Sequence, residues 1–145
     1  MILYQDTSSI VKRYVRDERG VEQTRQAVDK AAVLAASLIA YAEVRAAFAR
    51  ANRGNRFVDE GEYSHLLRDF ERDWRSYAKV NLSQSLIRRA GNLAEKHALR
   101  GYDAVHLASA LTFRDRVPDT IVISTWDGGL AQAAASEGLA AAHDV

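Results

Sequence analysis

Short apolar runs alternate along this chain with stretches of helical periodicity, and that alternation constrains the fold more than any other feature. Ile2, Leu3 and Tyr4 form the first run, AAVLAAS (31–37) the second, YAKVNLS (77–83) the third and TIVIS (120–124) the fourth. AAAHDV (140–145) adds a possible short fifth. Strands separated by helices cannot close as hairpins; they pair in parallel through right-handed crossovers, with helices covering both faces. The expected class is therefore α/β, with a mainly parallel central sheet of four to five strands. The length of 145 residues suits one domain, 1–145.

The intervening segments read as helices at about 7–17, 21–31, 38–51, 59–76, 86–97, 102–113 and 128–136. NRGN (52–55) breaks the pattern. Tyr63, Leu66, Leu67, Phe70 and Trp74 form an apolar stripe on a helix whose other positions are largely charged. That stripe either closes the domain's own core or in part serves a partner. YDAVHLASALTF (102–113) has almost no polar face, so its helix should be buried on most sides.

Composition removes several function classes. With no cysteine there is no disulfide, thiolate zinc site or cysteine nucleophile. No apolar run approaches bilayer length, and the N-terminus has no secretory signal pattern, so the cytoplasm is the expected compartment. A net charge of +1 neither demands nor excludes nucleic acid. Lys12, Arg13, Arg16, Arg45, Arg50, Arg53 and Arg56 nevertheless cluster in the first sixty residues, as solvated helix faces or as a phosphate-binding surface. Lys12, Arg13, Arg45 and Arg50 are the candidates for gripping a phosphate backbone.

Four acids lie where the chain can meet one edge of such a sheet. Asp6 ends the first apolar run, Asp127 follows the IVIS run by three residues, Asp103 starts the apolar helix, and Glu43 sits among Ala42, Val44, Ala46 and Ala47. Aspartate is a favoured N-cap, so each Asp has a structural explanation; Glu43 could simply pair with Arg45. Taken together they suggest chemistry. Two carboxylates ~5 Å apart at an effective dielectric of ~20 repel by about 3 kcal/mol. A hard divalent cation would offset this, and oxygen ligands favour magnesium or manganese. Such an ion activates water and neutralises charge on a phosphoryl group, which suits phosphodiester hydrolysis. His106, one turn beyond Asp103, either faces the same cleft or is a packed, hydrogen-bonded core histidine.

ILYQDTSSIVKRYV, LIAYAEVRAAF, LRGYDAVHLASAL and VISTWDGGLAQAAASEGL together resemble the PIN-domain ribonucleases, specifically the VapC-like toxins of type II toxin–antitoxin pairs. The resemblance spans almost the whole chain in the family's order. It implies that Asp6, Glu43, Asp103 and Asp127 are the catalytic acids, with Asp6, Asp103 and Asp127 holding metal and Glu43 ligating it directly or through water. Thr7 and Thr125 match supporting hydroxyl positions. It further implies Mg2+-dependent RNA cleavage (Mn2+ substituting), homodimerisation, and inhibition by a VapB-like antitoxin. Gln5, where an aliphatic residue is usual, and Trp126, where a smaller one is common, depart from the pattern. From the residues alone, a catalytically silent protein-binding module and a DNA-directed nuclease of the same fold remain open.

Overall fold

The computed structural model describes residues 1–145. Five strands form one sheet: β1 (Ile2–Gln5), β2 (Val33–Ser37), β3 (Ala78–Val80), β4 (Ile121–Ser124) and β5 (Ala140–Ala141). All neighbours pair in parallel, in the order β3-β2-β1-β4-β5. The chain builds outward from β1 to β3, then crosses back to start β4 on the other side of β1. The C-terminal ends of β1 and β4 therefore flank the point where the winding reverses, where parallel sheets form their crevices.

Seven helices cover the two faces: α1 (Thr7–Lys12), α2 (Val21–Lys30), α3 (Ala40–Arg53), α4 (Glu60–Trp74), α5 (Gln84–His97), α6 (Gly101–Arg116) and α7 (Gly128–Ser136). Side chains alternate between faces along each strand. Ile2, Tyr4, Ala35, Val80, Ile121 and Ile123 pack against α5, α6 and α7 in one core. Ala36 and Leu34 point the other way, toward Ile10, Val44, Phe48, Leu66, Phe70 and Trp74 of α1, α3 and α4. As its composition requires, α6 is buried along Ala104 and His106–Leu111. No helix is long and apolar enough to cross a membrane.

Several boundaries differ from the sequence reading for identifiable reasons. The helix expected at 7–17 ends at Lys12, because Arg13 and Tyr14 bond back to Ile10 and Val11 in tighter three-residue turns. The α3 helix runs through Asn52 and Arg53, and Gly54 caps it. The third strand shrinks to Ala78–Val80, since Asn81–Ser83 leads into α5, whose N-cap is Ser83. The run at 140–145 contributes only two strand residues. On α4, Leu66, Phe70 and Trp74 are buried within the domain, and Tyr63 and Leu67 pack beside them.

Candidate active site

Asp6 leaves β1 in an extended conformation and caps α1, its Oδ1 accepting from the Ser9 amide at 2.9 Å and the Ser8 hydroxyl at 2.7 Å. Its second oxygen, Oδ2, accepts from Thr125 Oγ1 at 2.6 Å. The Thr125 hydroxyl in turn accepts from the Asp127 amide at 3.1 Å. Asp127 repeats the same division of labour. Its Oδ1 caps α7 through the Leu130 amide at 2.8 Å, and its Oδ2 turns toward Arg100. Capping and membership of a charged site are thus compatible, one oxygen serving each.

Asp103 is not a cap. Arg100 occupies the N-cap position of α6, and Asp103, in the first turn, accepts from Arg100 Nε at 3.2 Å. The Arg100 Nη2 reaches Asp127 Oδ2 at 3.3 Å, so one guanidinium spans two carboxylates from different elements. Glu43 lies in the first turn of α3, where the helix dipole favours negative charge. Its Oε1 accepts from Thr7 Oγ1 at 2.8 Å and pairs with His106 Nε2 at 2.7 Å. The Tyr4 hydroxyl accepts from the Ser37 amide and, when His106 is neutral, offers its hydrogen to Nδ1 at 3.0 Å. In the neutral imidazole this leaves the proton on Nε2, facing Glu43. The two readings of His106 therefore merge: it is buried and hydrogen-bonded, and it holds a site carboxylate.

Electrostatics separate the acids. Asp6 is only 4% exposed, and burial pushes its carboxyl above the ordinary range despite the nearby His106 and the three donors on its oxygens. Burial also opposes ionisation of Glu43, but the hydrogen bonds and charge of His106, with the Thr7 hydroxyl, outweigh it and hold Glu43 below the usual value.

Hydrogen bonds and one peptide link join Glu43, Thr7, Asp6, Thr125, Asp127, Arg100 and Asp103 in series along the C-terminal edge of the sheet. No three acidic or histidine side chains converge tightly enough to grip one ion as they stand. The donor set is nevertheless all oxygen, and Arg100 already places a positive group between Asp103 and Asp127. A divalent cation fits that chemistry.

The four cationic candidates are spread over the first sixty residues. Lys12 pairs with Glu18, Arg13 with Asp73 and the Tyr77 hydroxyl, and Arg45 with Glu71 rather than Glu43. Arg50 is exposed and makes no ion pair. Gln5 is fully buried, donating to Ser9 Oγ and accepting from the Tyr77 hydroxyl, while Ser9 continues to Ser124 and His143. A polar residue at position 5 thus braces the start of α1. The Trp126 indole donates to Thr24 and stacks on His143 at 4.1 Å, so its ring is anchored to α2 and the C-terminal segment.

Sequence reasoning missed Ser8 and Arg100. Ser8 donates to Asp6 and accepts from the Trp126 amide, tying the first and last acidic loops together. The i, i+3 spacing of Arg100 and Asp103 was readable, but its reach to Asp127 depends on how α6 lies beside β4.

The PIN domain family model matches residues 3–135. Ribonuclease VapC45 and Ribonuclease VapC49, from two strains of Mycobacterium tuberculosis, are each 40% identical to the chain over 126 residues, covering 87% of it and 84% of the relative. Among solved structures, a toxin–antitoxin complex from Klebsiella pneumoniae contains a chain that superposes with a TM-score of 0.68 at 20% identity, over the whole of both chains, and so shares the fold. The chain belongs to the PIN-domain family and is a relative of the VapC ribonucleases.

Proposed function

We propose that this protein is a VapC-type toxin, a metal-dependent endoribonuclease that hydrolyses RNA phosphodiester bonds. The observation that carries the reading is the assembly of Asp6, Glu43, Asp103 and Asp127, from four separate elements, along one edge of the sheet. The 40% identity to named ribonucleases supports it.

Asp6, Asp103 and Asp127 would hold Mg2+ or Mn2+. When bound, the ion supplies Lewis acidity toward water and the phosphoryl oxygens. Thr125 orients Asp6 through Oδ2 and braces the Asp127 amide, while Ser8 fixes Oδ1. Thr7 and His106 hold Glu43 through Oε1, which leaves Oε2 to accept a hydrogen bond from the attacking water or to ligate the ion. The water oxygen forms the new P–O bond as the ester oxygen departs with the bonding electrons. Basic side chains near α1 and α3, with Arg50 unpaired, would meet the RNA backbone, an electrostatic contribution that weakens as salt rises.

A VapB-like antitoxin is the proposed partner, and the protein would act in the cytoplasm as a homodimer. A shallow apolar depression lined by Leu38, Ile39, Tyr41, Ala42, Trp74 and Leu82 supports association, because Leu38 and Leu82 are exposed there beside the site.

The purified protein should cut single-stranded or loop RNA in Mg2+ or Mn2+ and stop in EDTA, and Asp103→Asn should abolish cleavage while staying folded. Full activity in EDTA would overturn the metal mechanism. Cleavage of DNA in place of RNA would overturn the substrate class.

A further inference from the structure

Each acid of the site has a compensating group, and these groups differ in how firmly they are held. Asp6 is served by Ser8, Ser9 and Thr125, of which Ser9 and Thr125 are buried. Glu43 is served by Thr7 and by His106, which is 2% exposed. Asp103 and Asp127 share Arg100, whose side chain is 83% exposed while theirs are 21% and 33% exposed. The Arg100 side chain makes no hydrogen bond other than these two. Long exposed side chains lose rotamer freedom when pinned, so such pairs are held weakly. Arg100 is therefore the most readily displaced counter-charge in the site.

A divalent cation drawing on Oδ2 of Asp103 and Asp127 would compete with Arg100, because both of these oxygens face the guanidinium. Two cations cannot occupy that position together. A released Arg100 also has somewhere to go. The residue lines an apolar groove with Ile87, Ala90, Ala94, Tyr102 and Val105, along which its aliphatic stem can lie while the charged end stays in water.

We propose that Arg100 is a built-in competitor for the cation site, bridging Asp103 and Asp127 until metal displaces it. The inference rests on the metal reading given above, and the test separates the two. Metal affinity is measured by calorimetry on the intact protein, titrating Mn2+ or Mg2+ alone, without RNA. Arg100→Gln and Arg100→Ala should bind roughly two- to fivefold more tightly than wild type, the scale of a weak exposed ion pair. Arg100→Lys keeps the charge but cannot make the two-pronged bridge, and should fall between. Arg88→Gln removes an equal charge from an exposed α5 residue with no ion pair, and should leave affinity unchanged. A wild type that binds metal, with Arg100→Gln and Arg100→Ala binding it no more tightly, would overturn the competitor role alone. A matching gain in Arg88→Gln would reduce the effect to net charge and overturn it too. A wild type that binds no metal would overturn both readings.

Discussion

Asp6 concentrates the conflict in this site, because it is a buried carboxylate whose three donors do not fully repay its desolvation. Asparagine keeps the cap on α1 and removes the charge. In EDTA, Asp6→Asn should be at least as stable as wild type. The pH dependence has a definite sign. The folded carboxyl titrates above its ordinary value of 3.8, so the native state holds the proton longer than the unfolded chain. Its favourable contribution is complete below 3.8 and is lost as pH rises through the raised value. The stability advantage of Asp6→Asn should therefore grow across that window and then level off, as read from denaturant midpoints at a series of pH values. Added metal should reverse the order, since an ion bound only by the native state raises the wild-type melting temperature by mass action and does so less for the variant. A variant with the wild-type metal response and wild-type cleavage would return Asp6 to capping alone.

At the scale of elements, the α4 stripe had two readings in the sequence, and its neighbours decide between them. Phe70 is fully buried, with its ring 5.5 Å from Phe48 edge-on, 5.7 Å from Tyr14 and 5.8 Å from Trp74. Those partners come from α3, from α4 itself and from the turn that follows α1, so the stripe closes the second core between these segments. Phe70→Ala should cost about 3–5 kcal/mol, as truncation of a packed aromatic does, and should lower the chemical-denaturation midpoint accordingly. A loss under 1 kcal/mol would mean the cluster is loosely packed. The nearly all-apolar α6 was legible because a helix without a polar face has only one place to go. Local turn chemistry was less so: α1 ends at Lys12 in the tighter turns of Arg13 and Tyr14, and the Arg13 side chain there bonds Tyr77, 64 residues away, which no local pattern announces.

For the molecule as a whole, the class and parallel pairing followed from the alternation of runs, and the four acids were each visible at a strand exit or helix start. Their connection was not. Strand order depends on which apolar faces meet, and the Asp6–Thr125 and Arg100–Asp127 bonds span 119 and 27 residues of sequence. The resulting order makes a prediction about cooperativity. β1 is central and its four residues are buried, whereas β5 is a two-residue edge whose residues are exposed. Amides of Leu3, Tyr4 and Gln5 should exchange only by the largest openings, and those of β5 by small local ones. The α4 stripe, already committed to the core, should be protected in the free protein. Binding of a cognate antitoxin should instead add protection around residues 38–42 and 74–82, where the apolar depression is open. Mass-resolved hydrogen exchange on the free protein and the complex reads both. Equal exchange in β1 and β5 would contradict the central placement of β1, and a complex that leaves 38–42 and 74–82 unchanged would remove that depression from the interface.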